Sequence, residues 1–268
     1  MRIDALTLLE TAAMALKGLA RFIGFGARVS LATPGAVFRR ADEVVRQFER
    51  VATQSLLIVV GAGLSVGLVA WFQVHRLLAS TGAESALPSF LAIALVVELG
   101  PLLAGLLAAG RMGAGLAAEL ASMSLNEEID ARIALGSDPV SSLVAPRTLA
   151  CALALPLLTI LVDASALLGA LAAESLAGGL TPGLFWRRSL VFLKLSDVLP
   201  ATLKTAVFGL LIGIIGCWTG LNAERSAEEV GHAATRGVVR TTLAVFAASA
   251  VMAPLIPPAV AALGLEGF

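Results

Sequence analysis

E-L-G-P-L-L-A-G-L-L-A-A-G-R-M-G-A-G-L-A-A-E-L-A-S-M-S-L-N-E-E-I-D, from Glu98 to Asp130, passes from an almost uncharged apolar run into an acidic one. It opens inside an apolar run that starts at about Leu87 and reaches Gly110. A bilayer core of roughly 30 Å needs about 20 such residues as a helix, so this run predicts a membrane span. Helical spacing carries the span past the membrane surface to about residue 118, and puts Arg111 and Glu119, eight residues apart, roughly on one face. Ser124 precedes Glu127 by three residues, a capping-box spacing that predicts a new short helix over about 125–135. Gly136 and Pro139 stop it. That helix, with Asn126, Glu127, Glu128, Ile129 and Asp130 at its start, reads either as a solvated loop helix or as a docking element.

The rest of the chain repeats the apolar theme. Apolar residues make up 58% of the 268 and charged residues 14%, a composition of lipid-facing and not water-facing structure. Four more spans are expected at about 53–72, 148–173, 198–221 and 241–265, the last broken by Pro254, Pro257 and Pro258. The fold class is therefore all-α, a polytopic membrane protein with one span-bearing domain over 51–268. Residues 1–50 form the N-terminal arm. Leu6, Leu9, Ala13, Leu16, Leu19 and Ile23 mark an amphipathic helix lying in the interface, Pro34 and Gly35 break it, and a second amphipathic stretch with Arg39, Arg40, Arg46 and Arg50 follows. Residues 174–197 are mixed and read as an extramembrane loop with a short helix. No cleavable signal peptide is expected.

With the N-terminus in the cytoplasm, fourteen of the 19 basic residues fall on that side, leaving Arg76, Arg187, Arg188, Lys194 and Lys204 for the other. The excess of Lys and Arg on the inside favours a cytoplasmic N-terminus and an external C-terminus. A formal net charge of zero gives no argument for a nucleic-acid partner. Cys151 and Cys217 both lie in apolar runs and read as buried hydrophobes. Glycines at packing intervals, Gly63 and Gly67, then Gly209, Gly213, Gly216 and Gly220, mark close helix approaches, either within the chain or across a homodimer seam.

Charges inside spans are functional candidates by default, which singles out Glu98, Asp163 and Lys204. Glu98 and Lys204 lie toward the same outer end, so they are placed to pair or to meet a zwitterionic headgroup. No G-x-x-x-x-G-K-[ST] loop occurs, so the chain does not hydrolyse nucleotide through that motif. Two other readings exist. A stand-alone ion-coupled transporter of an amphipathic substrate usually shows inverted repeats, and none is visible. An intramembrane enzyme needs a catalytic cluster, yet His75, read as interfacial, and His232, read as a loop residue, fall on opposite sides.

The motifs E-L-G-P (Glu98–Pro101), A-G-R-M-G (Ala109–Gly113), A-A-E-L (Ala117–Leu120), N-E-E-I-D-A (Asn126–Ala131), D-P at Asp138 and P-R at Pro146 follow one another in a recognisable order. So does A-E-E-V-G-H-A-A-T-R-G-V-V (Ala227–Val239) before the last span. This pattern resembles the permeases of MCE-associated lipid ABC transporters, the maintenance-of-lipid-asymmetry (Mla) permeases and their plant and mycobacterial relatives. The resemblance implies a homodimer of five-span subunits in the bacterial inner membrane, moving phospholipid to or from a periplasmic MCE-domain protein. Two cytoplasmic ABC ATPase subunits would hold the ATP and Mg, with a STAS-domain protein as a possible further partner; this chain itself would bind no cofactor or metal and catalyse nothing.

The resemblance also assigns roles. Glu98, Leu99 and Lys204 would face the lipid cavity; Arg111, Glu119 and Asn126 to Asp130 would couple to the ATPase; Glu229, Gly231, Thr235 and Arg236 would form a cytoplasmic loop signature. The sequence departs from the pattern in two places. Val97 stands where some relatives carry arginine, and Ala247 to Val251 offer no acid where some relatives have one. Those differences bear on which lipid is held.

Overall fold

The computed structural model describes residues 20–33, 40–177 and 179–262, with side chains to residue 256. Most of the interfacial helix expected over 4–25, and the Pro34–Gly35 break, lie outside the described residues. A helix over residues 20–33 (α1) docks Phe22 and Phe25 against Trp218 and buries Val29 completely.

Among the described residues, five helices are long and apolar enough to cross a membrane. They are α2 (Ala41–Ala79), α3 (Glu84–Leu125), α5 (Val140–Ala177), α7 (Leu195–Leu221) and α8 (Ala227–Ala262). Two short helices join them, α4 (Glu128–Ala134) between α3 and α5, and α6 (Pro182–Val191) between α5 and α7. The long helices overshoot the bilayer. At about 1.5 Å per residue the 39 residues of α2 reach about 58 Å, nearly twice the hydrocarbon thickness. The second amphipathic stretch of the N-terminal arm is therefore the first turns of α2 and not a separate surface element.

α5 is the central helix, packed along α2 on one side and α7 on the other, while α8 closes against α3 and α7. Glycines make these approaches possible. A side chain at Gly63 or Gly67 would overlap Ser165 or the Ala166 backbone of α5, and one at Gly209 or Gly213 would overlap the Cys151–Ala152 backbone or Thr148 of the same helix. Both glycine stripes are thus seams within one chain, which decides between the two possibilities left by their spacing. Cys151 and Cys217 are free and buried.

Four corrections concern helix ends and breaks. α8 is helical from Ala227 and continues through Pro254, so the signature Ala227–Val239 is the start of the last long helix, not a loop, and His232 is a helical residue beside Glu228. The capping box at Ser124 does not form. α3 runs on to Leu125 with Ser124 buried inside it, and Glu127 turns the chain with φ 60° and no side-chain cap. α4 accordingly begins at Glu128, three residues later than expected. It ends as read, with Gly136 at φ 76° and its N–H and that of Ser137 donating to the Ile133 and Arg132 carbonyls.

The segment 174–197 is less loop-like than its composition indicates. Glu174, almost fully buried, accepts hydrogen bonds from the Trp71 indole at 2.6 Å and the Leu180 N–H at 2.8 Å. His75 stacks on the same Trp71 ring. α6 inserts Phe185 into the core beside Leu87 and Leu91, and Ser189 donates to the Pro88 carbonyl.

Candidate functional site

The α6 end of the bundle holds one charged constellation. α3 is not a uniform α-helix there: Ala94–Leu99 form a wider π turn, in which the Gly100 N–H reaches back to the Leu95 carbonyl. Pro101 follows and has no N–H to offer the Val97 carbonyl four residues earlier. That freed acceptor takes a hydrogen bond from Lys204 Nζ of α7 at 3.0 Å, and the same nitrogen meets Glu98 Oε2 at 3.0 Å. The Lys204 side chain is 1% exposed, whereas that of Glu98 is 49% exposed. The ammonium is therefore fixed inside the bundle, and the carboxylate presents a free oxygen outward.

Both residues line a cavity of about 490 Å³ with Val97, Ser196, Ala201 and Ile256. Lys194 and Asp197 sit at the same cavity, giving it a second acid and a second base, while Phe192 and Ala253 supply apolar wall. Leu99 does not line it; that side chain is 44% exposed on another face of α3. Phe192 is shared with an adjoining apolar hollow bounded by Phe90, Ile93 and Val191. Asp163 lies close behind on α5, buried, its carboxylate against the Gly100 backbone and one oxygen without a partner. This glycine has no room for a side chain.

The α4 end carries a different arrangement. Arg111 sits in a second π turn, Ala109–Gly113, and donates to Gln54 of α2 at 3.0 Å. Glu119 pairs with the buried Arg147 at 2.7 Å and with Arg50 at 3.5 Å. Arg111 and Glu119 thus share one groove between α2 and α3, as their spacing implied. Asn126 and Glu127 in the turn before α4, and Glu128 and Asp130 in its first turn, are exposed, but Ile129 is not; it is buried among Leu116, Leu120 and Val140 and anchors the helix to its own core.

Asp130 forms an ion pair with Arg225 at 2.7 Å, which ties α4 to the turn before α8. Within α8, Glu229 and Arg236 pair directly, and the Arg236 guanidinium holds the Glu229 carboxyl below the usual carboxylate range. Gly231 is exposed with open space around it, and Thr235 donates to its carbonyl at 3.3 Å. Among the described residues, no group of three or more His, Cys, Asp and Glu could hold a metal ion.

Five apolar helices, with a charged cavity at one end and a small helix clamped to a neighbouring turn at the other, define a multi-pass helical membrane protein. The profile of the family described as Permease MlaE matches residues 44–255, and the chain belongs to that family. It is 36% identical over 212 residues to a probable ABC transporter permease protein of Synechocystis, covering 79% of this chain and 80% of that one. It is 31% identical over 233 residues to the intermembrane phospholipid transport system permease protein MlaE of Haemophilus influenzae, covering 85% and 87%. A plant relative, the chloroplastic protein TRIGALACTOSYLDIACYLGLYCEROL 1 of Arabidopsis thaliana, is 30% identical over 208 residues, covering 78% of this chain and 59% of that protein.

Two features of the site were missed in the sequence. The Val97 carbonyl had a signal, the proline four residues on. The buried Arg147 belongs to the P-R motif and to the basic residues of the inner side, and an arginine at the start of a long apolar run calls for a partner.

Proposed function

We propose that this chain is the membrane subunit of an ABC transporter that moves phospholipid between the bacterial inner membrane and a periplasmic MCE-domain protein. One observation carries the reading: the cavity at the α6 end sets a buried ammonium and an outward-facing carboxylate side by side against apolar walls. A phospholipid has complementary parts, a phosphate for Lys204 and Lys194, an ammonium or hydroxyl for the free oxygen of Glu98, and acyl chains for the hollow beyond Phe192. The name of the Haemophilus relative, a phospholipid transport permease, supports the same substrate class.

In this reading the N-terminus and the α4 end are cytoplasmic and the α6 end and C-terminus periplasmic, which agrees with the basic residues around α4. Two copies form a homodimer around the lipid. α4 is the coupling helix: exposed Asn126, Glu127, Glu128 and Asp130 meet a separate ATPase that holds ATP and Mg, and Ile129 transmits its movement into the permease core. Arg111, Glu119, Glu229 and Arg236 brace this end, with Gly231 and Thr235 on the face open to the ATPase or to a STAS-domain protein. The chain has no catalytic role.

The test is a gentle-detergent pull-down of the tagged chain from its native membrane, with mass spectrometry of proteins and lipids. Recovery of an ATPase, an MCE-domain protein and phospholipid is expected. Recovery of the chain alone, with lipid transport intact after purification, overturns the reading.

A further inference from the structure

A second polar cavity, unrelated to the Glu98–Lys204 site, opens at the α4 end. It has a volume of about 300 Å³ and is bounded by the first turns of α2, by α4 and by the start of α5. Arg40, Arg46, Arg132 and Arg147 line it, with Ser142, Asp42 and Glu43. Four guanidinium groups against two carboxylates leave an excess of positive charge. Glu43 is turned toward its own helix, accepting from Arg46 at 2.7 Å and Gln47 at 2.9 Å. Arg40 and Arg132 have no ion-pair partner among the described residues.

Two of the lining groups are built into the core and unfinished. Ser142 is 3% exposed and its hydroxyl has no partner; Arg147 is 6% exposed and its Nε has none, although its terminal nitrogens reach Leu143 and Glu119. A buried donor ordinarily has an acceptor. These two donors are sealed from the cavity, whereas the Arg40 and Arg132 guanidiniums, unpaired among the described residues, border a space that has room for a tetrahedral anion. Arginine forks match phosphate oxygens in geometry as well as charge.

We propose that this cavity is a phosphate-binding site whose ligand is the headgroup of an anionic phospholipid at the α4 end of the bundle. Its position supports a lipid over a free ion, because α2 and α5 continue from the cavity directly into the apolar bundle. The bound phosphate bridges α2, α4 and α5 and so fixes α4 to the membrane-spanning core.

The test uses the full-length protein in phosphatidylcholine nanodiscs titrated with phosphatidylglycerol, with retained lipid counted by native mass spectrometry, and in parallel equilibrium binding of labelled orthophosphate in detergent. Wild type is expected to retain phosphatidylglycerol selectively. The Arg40→Gln/Arg132→Gln variant should bind it about thirtyfold more weakly, the loss of two basic contacts with an anionic lipid. Arg187→Gln, an exposed arginine at the far end, should bind as wild type does. Saturable orthophosphate binding that the double variant abolishes, without selectivity among lipids, keeps the phosphate site and replaces the lipid by the free anion. The proposal fails if neither probe separates wild type from the double variant, or if Arg187→Gln loses as much as that variant does.

Discussion

Removing either partner of the Glu98–Lys204 pair has unequal consequences, because the two side chains are unequally buried. Breaking a fully buried ion pair by deleting one partner costs about 3–5 kcal/mol. The Lys204 side chain is 1% exposed, but Glu98 is 49% exposed, so water screens one side of this pair and the expected coupling falls to about 2 kcal/mol. Glu98→Gln leaves the buried ammonium with the Val97 carbonyl and a neutral amide, and should cost most of that. Lys204→Met keeps the volume, returns Glu98 to water and leaves the Val97 carbonyl unpaired, a cost of about 1 kcal/mol.

The double variant removes both charges and should be no less stable than Glu98→Gln alone. The assay is a double-mutant cycle on the purified protein in one detergent, read by denaturant unfolding. Additive single effects, with a coupling below about 0.5 kcal/mol, would refute the pair as an energetic unit.

Three further outcomes follow from the geometry. Gly67→Val should prevent assembly of α2 on α5, since the new side chain would overlap the Ala166 backbone; near wild-type yield and stability would contradict the seam. Asp130→Arg and Arg225→Asp should each weaken ATPase stimulation by the assembled complex, by about twofold to fivefold, and the double swap should restore it, because a surface pair is worth up to about 1 kcal/mol. The folded pKa of Glu229 is depressed by Arg236, so their pair contributes fully above the unfolded carboxylate value and is lost as pH falls through the lower folded value. Amide protection factors over residues 227–239, taken against the intrinsic rate at each pH, should fall in acid, and Arg236→Gln should abolish that acid-dependent step.

The spans were legible because lipid imposes a length and a composition that few other structures share. Paired charges such as Glu98 and Lys204 stood out for the same reason: a charge in an apolar run requires a counterpart. Glycine spacing revealed close approaches without revealing their partners, since Gly67 against α5 and a second copy of α2 would leave the same pattern. The capping box failed because Ser124 is an interior position of α3, and burial of that helix face outweighed the local preference of a serine for a helix start. The composition of 174–197 concealed buried Phe185, Ser189 and Glu174, whose partners on α2 and α3 lie about a hundred residues away in sequence. Leu99 and Ile129 show the limit of transferring a motif as a block: the first lies off the cavity and the second faces the core, while Glu98 lines the cavity and Glu128 and Asp130 are exposed.

Whether the α6-end cavity holds phospholipid during transport is read by placing a photoreactive residue at Phe192 on the cavity wall and crosslinking in native membranes. A headgroup-labelled phospholipid adduct is expected, strongly reduced in the Glu98→Gln/Lys204→Met background and changing in amount when ATP is added to the assembled complex. An adduct unaffected by both, equal to that from a lipid-exposed control at Leu57, would contradict phospholipid occupancy.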